Sequence, residues 1–229
     1  PLVSESFKKP IETFQTNIMG TINLIQASKD IKSCKSIVIV TTDKVYKIKS
    51  NNKPYDEGDE LGGIDPYSAS KACSEIVTSS LAKLYNNKKV STVRSGNVLG
   101  GGDYSKNRIL PDIISAINDN KILKIRNPNS IRPWQHVVEP LWGYMILAEK
   151  QYQNKLITEN MAWNFGPNNN SFVKVNAIVR FIERISNLKG IRITKNTIRE
   201  TMVLKLNSNK SKKFLKWKSI WNLKKTLIM

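Results

Sequence analysis

The residues Ser36–Thr41 (SIVIVT) form an unbroken, mostly β-branched apolar run, the pattern of a strand buried on both faces of a parallel sheet. Parallel strands are joined by crossover helices, so this run points to an α/β architecture. Polar groups follow at once, as Thr42, Asp43 and Lys44. In open α/β sheets ligands sit beyond the carboxyl ends of the strands, which makes this tripeptide a candidate site. Pro66 then opens a helix and puts Tyr67 and Lys71 one turn apart on one face.

That pair has a chemistry. An ammonium about 4 Å from a phenol, at an effective dielectric of about 20, favours the phenolate by about 4 kcal/mol. This is roughly three pKa units, enough to bring a tyrosine from about 10 to near neutral pH, where it can act as a base. The spacing alone is a weak signal, because many helices carry it by chance with the lysine merely solvated.

The chain has 229 residues, enough for a substantial core. No apolar run reaches the ~18 residues of a membrane span and no basic-then-apolar leader is visible, so a soluble protein is expected, with no membrane partner. Cys34 and Cys73 read as free thiols of a reducing cytosol, giving a cytoplasmic expectation. The net charge of +19 could attract an anionic ligand such as a nucleotide-sugar, or reflect a general bias toward Lys, Ile and Asn. The basic residues do not form a stripe interleaved with aromatics, so nucleic acid is not expected as a partner. His136 is the only histidine, reads as a packed strand-end residue, and has no second ligand spaced to share a metal.

Pro10–Asp30 reads as a helix with Phe14, Ile18, Ile22 and Ile25 on one face and Asn17 among them. Lys47–Gly63 reads as a loop placed to cover the site, Val90–Ser95 as a strand, and Gly96–Asp103 as a glycine-rich turn beyond it. A helix is expected over Arg108–Asn120 and a short strand over Lys121–Ile125. Arg126 and Arg132 flank a polar turn; a planar guanidinium suits phosphate oxygens, although a loop arginine is by default solvated. Glu139–Lys150 reads as a helix with Leu141, Tyr144, Met145 and Ala148 as its apolar stripe. Ala162–Phe165 is a predicted strand, Ser171 a predicted cap for a helix over Phe172–Ser186, and Gly190–Thr194 a further strand.

The segments VTTDKVY, DPYSASKACSE, RSGNVLGGGD and NPNSIRPWQHVVEPLWGY, in this order, resemble the extended short-chain dehydrogenase/reductase family. Within it the pattern is most similar to the nucleotide-sugar 4,6-dehydratases, in the branch acting on CDP-glucose. The resemblance runs from Pro1 to about Trp221. It implies a Rossmann-like parallel sheet with a smaller C-terminal α/β substrate-binding lobe, divided as residues 1–100 and, mainly, 101–229, with some segments returning to the first part. Family members begin with a strand, a Gly-x-x-Gly-x-x-Gly turn and a helix that hold the NAD pyrophosphate. No such motif precedes Ser36, so the N-terminal βαβ units, roughly 60–90 residues, are expected to be missing and the chain to be inactive as it stands.

For this chain the resemblance implies NAD as cofactor beside Thr41, Tyr67, Lys71 and Arg94. It implies CDP-glucose beside Asn97, Arg108, Arg126, Arg132 and His136, and a homodimer through the 10–30 and 66–85 helices. Tyr67 would deprotonate the sugar 4-hydroxyl, helped by Thr42, with Lys71 keeping Tyr67 acidic. Asp43 and Lys44 would between them remove the C5 proton and protonate the departing 6-hydroxyl. The alternative for Asp43 and Lys44 is an ordinary exposed ion pair. At the C-terminus, Lys216-Trp217-Lys218-Ser219 stands where the family has a Gly-Trp-x-Pro-like turn, so that corner is expected to be degraded.

Overall fold

The structure, a computed structural model of the chain, describes residues 2–85, 88–156, 161–194 and 201–228. It begins with helices α1 (Val3–Lys8), α2 (Pro10–Phe14) and α3 (Gly20–Ser28), the last two joined through a π-helical turn at Gln15–Met19. Phe14, Ile18 and Ile22 turn inward as their spacing predicts, and Ile25 is fully buried. Then come β1 (Ser36–Val40), α4 (Pro66–Leu84), β2 (Lys89–Ser95) and β3 (Asn97–Leu99). The rest of the chain is α5 (Ile109–Asn118), β4 (Leu123–Ile125), β5 (Ile131–His136), α6 (Val138–Tyr152), β6 (Ala162–Phe165), β7 (Phe172–Lys174), α7 (Val175–Ile185), β8 (Ile191–Ile193) and α8 (Leu223–Ile228).

β1, β2 and β6 form one parallel sheet, with Ile39 opposite Thr92 and Thr92 opposite Ala162. Alternate side chains go to opposite faces. Ile37, Ile39 and Val90 join Ile25 on the side of α3 and α4, whereas Val93 joins Leu147 of α6 on the other side. A helical layer therefore covers each face, and the later strand β6 returns to this sheet. The second unit pairs β3 with β5 in parallel and β5 with β7 antiparallel, while β4 pairs with β8. Its core gathers Leu99, Ile113, Trp134, Ile178, Val179 and Ile182. This is the expected Rossmann-like parallel sheet with a smaller α/β lobe.

Several local expectations are corrected. β1 is covered on both faces, by Ile37 and Ile39 toward α3 and α4 and by the partly buried Val38 toward α6, but among the described residues it is an edge strand pairing only with β2, and at its carboxyl end Val40 is 49% exposed. Ser171 caps nothing, because Phe172–Lys174 pairs with β5 as β7 and the helix starts only at Val175. α6 buries Pro140, Gly143, Leu147 and Gln151, leaving Leu141 and Met145 exposed. Gly143 sets that rotation, since a Cβ there would lie 2.3 Å from the Phe165 ring. The Lys47–Gly63 loop does not cover the site but docks on the 204–207 segment, with Tyr55 N–H donating to Lys205 O and Asn207 N–H to Tyr55 O.

The C-terminal corner is formed rather than degraded. Lys216 takes the left-handed conformation, φ 58°, that a glycine adopts most easily. Trp217 is buried and its Nε1–H donates to Glu139 O at 3.0 Å. The Glu139 carboxylate in turn accepts the backbone N–H groups of Ile220 (2.9 Å) and Trp221 (2.8 Å).

Candidate functional site

α4 starts where its sequence dictates. Pro66 is at its first position, and Asp65 caps it by accepting Ser68 N–H at 2.9 Å and the Ser68 hydroxyl at 2.6 Å. Gly63 lets the incoming chain press on this turn, because a Cβ there would lie 2.3 Å from Ala69 N. The turn delivers Tyr67 to a cleft of about 420 Å³ at the carboxyl ends of β1 and β2, closed on the far side by the lobe. Thr41, Thr42, Lys44, Tyr67, Asn97, Arg108, Arg126 and Arg132 all line it. Asp43, Lys71, Arg94 and His136 do not.

Asp43 lies directly behind the lining and has no exposed surface. Its Oδ1 accepts Lys44 Nζ at 3.1 Å and the Thr42 hydroxyl at 3.2 Å, while its Oδ2 has no partner. The exposed-ion-pair alternative is thus set aside. A fully buried carboxylate with an idle oxygen costs stability unless something else uses it. Asn97 shows the same feature, its buried Oδ1 being unpartnered at the cleft.

Tyr67 differs from the expectation. Burial holds its phenol above the ordinary value, with Lys44, the neighbouring Thr42 hydroxyl and Arg108 pulling it back down and Asp43 opposing them. Lys71 is turned to the strand: its Nζ donates to Val40 O at 2.9 Å, and burial lowers its own pKa while Glu75 raises it. The cation that acts most on the phenol is Lys44.

Arg94 is not placed for a cofactor. It is 3% exposed and spends its guanidinium on Glu75 (2.8 and 2.9 Å), on Tyr46 Oη (2.9 Å) and on Glu57 O (3.2 Å). Thr41 borders the cleft, but its hydroxyl donates to Glu75 and to Val93 O. His136 packs against Trp221, ring centres 4.7 Å apart and tilted by 52°, and its Nδ1 accepts Val138 N–H, the packed strand-end role. On the lobe side Arg108 pairs with Asp103 at 2.9 Å, Arg126 reaches Asn107 O, and Arg132 donates to Ile131 O and Met202 O.

Of the glycine turn, Gly96 and Gly100 face protein rather than a ligand, with Pro133 and Val137 where their Cβ atoms would go. Sequence reasoning missed Glu75, although it lies one turn beyond Lys71 on the same helix face, and Lys124, which lines the cleft from β4. It also missed Leu2–Ser4, which reach the cleft from the N-terminal helix with no motif to mark them. No cluster of metal-binding side chains and no helix long and apolar enough to cross a membrane occurs among the described residues.

These features define a Rossmann-like α/β protein with a basic cleft at the carboxyl ends of its parallel strands. The chain belongs to the GDP-mannose 4,6 dehydratase family, whose profile matches residues 2–229. It is 39% identical over 241 residues to the CDP-glucose 4,6-dehydratase of Salmonella typhimurium, covering 99% of this chain and 66% of that protein. The chain thus spans about two thirds of the length of that relative. The dTDP-glucose 4,6-dehydratase DesIV of Streptomyces venezuelae, solved with NAD and TYD bound, superposes with a TM-score of 0.83 at 21% identity, covering 99% of this chain and 68% of that one. The UDP-glucose 4-epimerase of Thermotoga maritima, solved with UDP-glucose, gives 0.84 at 20% identity, covering 98% and 71%. At these identities the two structures show the shared fold alone.

Proposed function

We propose that the chain is the catalytic and substrate-binding part of a nucleotide-sugar 4,6-dehydratase acting on CDP-glucose. The observation that carries this reading is the fully buried Asp43 with one idle oxygen and Lys44 at 3.1 Å, next to Tyr67 in the cleft. Oxidation or epimerisation at C4 alone needs one base, whereas removing water across C5 and C6 needs a further acid and base. Asp43 and Lys44 supply that pair, and a proton passed along their contact lets either present the acid or the base. Tyr67 takes the 4-hydroxyl proton, with Thr42 holding that oxygen. The 39% identity to a CDP-glucose enzyme supports the CDP branch.

The excess of five cations, Lys44, Arg108, Lys124, Arg126 and Arg132, over three carboxylates, Asp65, Asp103 and Asp112, on the cleft wall suits a diphosphate, with Asn97 lining the same cleft. The donor set at the end of β1 fits the nicotinamide-ribose end of NAD: the Lys71 ammonium at Val40 O, with the Tyr67 phenol one turn away. Arg94 does not fit it. Bound NAD would supply the hydride acceptor and donor for the sugar. On this reading residues 1–100 serve mainly the cofactor side and 101–229 mainly the sugar nucleotide. The outward Ile11, Leu24, Ile76 and Leu84 of α2, α3 and α4, all more than half exposed, support a homodimer through these helices. The two free thiols, Cys34 and Cys73, support a cytoplasmic setting.

Calorimetric titration of the chain with CDP-glucose, dTDP-glucose and UDP-glucose tests the ligand, and mass spectrometry of the sugar nucleotide after incubation with NAD and the chain fused to a relative's N-terminal glycine-turn segment tests the reaction. Binding selective for CDP-glucose and a product lighter by one water are expected, with Asp43→Asn retaining the binding and losing the product. A product of unchanged mass, or preference for another nucleotide, would overturn the assignment.

A further inference from the structure

The Glu75 carboxylate is 4% exposed, yet it accepts four donors drawn from three places. Arg94 gives it Nε and Nη2 at 2.8 and 2.9 Å, Thr92 of β2 gives a hydroxyl, and Thr41 at the end of β1 gives another. A buried ion pair by itself is weak grounds for stability, and Arg94 alone would neutralise the carboxylate. The threonines do something else. Thr41 directly follows Val40, whose carbonyl seats the Lys71 ammonium at 2.9 Å, and Glu75 stands one helical turn beyond Lys71 on the same face. One carboxylate therefore fixes the strand end that holds the lysine and stands one helical turn from the lysine itself.

We propose that Glu75 is a positioning residue that keeps Lys71 charged and seated at the end of β1, a role that rests on the assignment of Tyr67 and Lys71 above. The surrounding groups leave it this task. From β1 the lysine meets a neutral carbonyl, and from β2 the nearby cation, Arg94, is already committed to Glu75. Asp43 and Lys44, in the turn after β1, pair with each other and act on Tyr67, as does Arg108 from the lobe. Glu5 and Glu12 of α1 and α2 are exposed and paired with Lys8 and Lys9. Burial lowers the proton affinity of Lys71, and Glu75 is the charge that opposes it.

The test is lysine ε-carbon NMR of the isotopically labelled 229-residue chain across alkaline pH, with the Lys71 signal assigned by Lys71→Arg. Glu75→Gln should lower the Lys71 midpoint by about one unit, a tenfold weaker proton affinity, while Glu75→Asp restores most of it. Glu75→Gln with Arg94→Met also removes the unpaired buried guanidinium and should shift the midpoint in the same direction by a smaller amount, because the repulsion from Arg94 goes with it. An unchanged midpoint in either folded variant overturns the proposal, and so does failure of both to fold, which would make Glu75 a structural residue only. A shifted midpoint in a chain that binds no sugar nucleotide would keep the coupling and remove the dehydratase reading, so the two can fail separately.

Discussion

Lys210 offers a quantitative test of how the segment after residue 204 is attached. Its Nζ donates to Ala162 O at 2.6 Å and lies 4.1 Å from the Trp163 ring centre, fixing this segment to β6. Burial pulls its pKa down to about 8, against the pull of Glu57 and with the help of Arg94. The drop from 10.5 is about 2.5 units, or roughly 3 kcal/mol, discounted to about 2 because part of the group remains in solvent. Below pH 8 both folded and unfolded chains carry the proton, so the folded state bears the whole penalty. Between about 8 and 10.5 the unfolded chain still binds a proton that the folded chain has lost, and stability rises with pH. Burial raises the phenols of Tyr46, Tyr67 and Tyr144, which act in the opposite direction above about pH 10. The comparison with Lys210→Met cancels them. In urea unfolding at about pH 7 and about pH 10, wild type should gain about 2 kcal/mol on the variant. A gap that stays flat, or that moves the other way, refutes the reasoning.

Two further substitutions probe the frame of the site. Gly63→Ala puts a methyl group 2.3 Å from Ala69 N and 2.5 Å from Ser68 C, backbone of the turn that carries Tyr67, so something must shift. A loss of about 3 kcal/mol is expected, a fall of roughly 6–12 °C in a circular-dichroism melt, and an unchanged melt would show that α4 is not clamped there. Glu139→Gln leaves one of the two backbone N–H donors at Ile220 and Trp221 without its charged acceptor. It should cost about 1–3 kcal/mol and alter tryptophan emission from Trp217 and Trp221, and a variant matching wild type in both would argue that the corner closes without Glu139.

What was legible in the sequence was whatever depends on residue type and local period. The apolar run at Ser36–Val40 gave β1, Pro66 gave the start of α4, and both put Thr42, Lys44 and Tyr67 at one cleft with Asp43 directly behind it. What was not legible depends on neighbours distant in the chain. Phe172–Lys174 looks like the start of a helix until β5 offers it a ladder. The stripe on α6 is set by the Phe165 ring against Gly143, not by the period of the helix. Lys216 adopts a glycine's conformation because Glu139, far earlier in the chain, fixes the residues on its far side.

The same distinction governs the chemistry. The spacing Tyr67-x-x-x-Lys71 puts a cation on the right face of α4, but spacing carries no information about where the ammonium finds its acceptor. Here it finds Val40 O, and the field on the phenol comes from Lys44, adjacent to the buried Asp43. On the proposed dehydratase reading, proton abstraction at the 4-hydroxyl and the acid–base work of water loss would share one electrostatic unit, because the lysine that favours the phenolate is also half of the Asp43–Lys44 pair. A change in the charge of Lys44 during water loss would therefore raise the Tyr67 pKa at the stage when the phenol no longer needs to be a base. On the proposed reading the sequence names the residues of both steps, and their packing supplies the contact through which the two would be coupled.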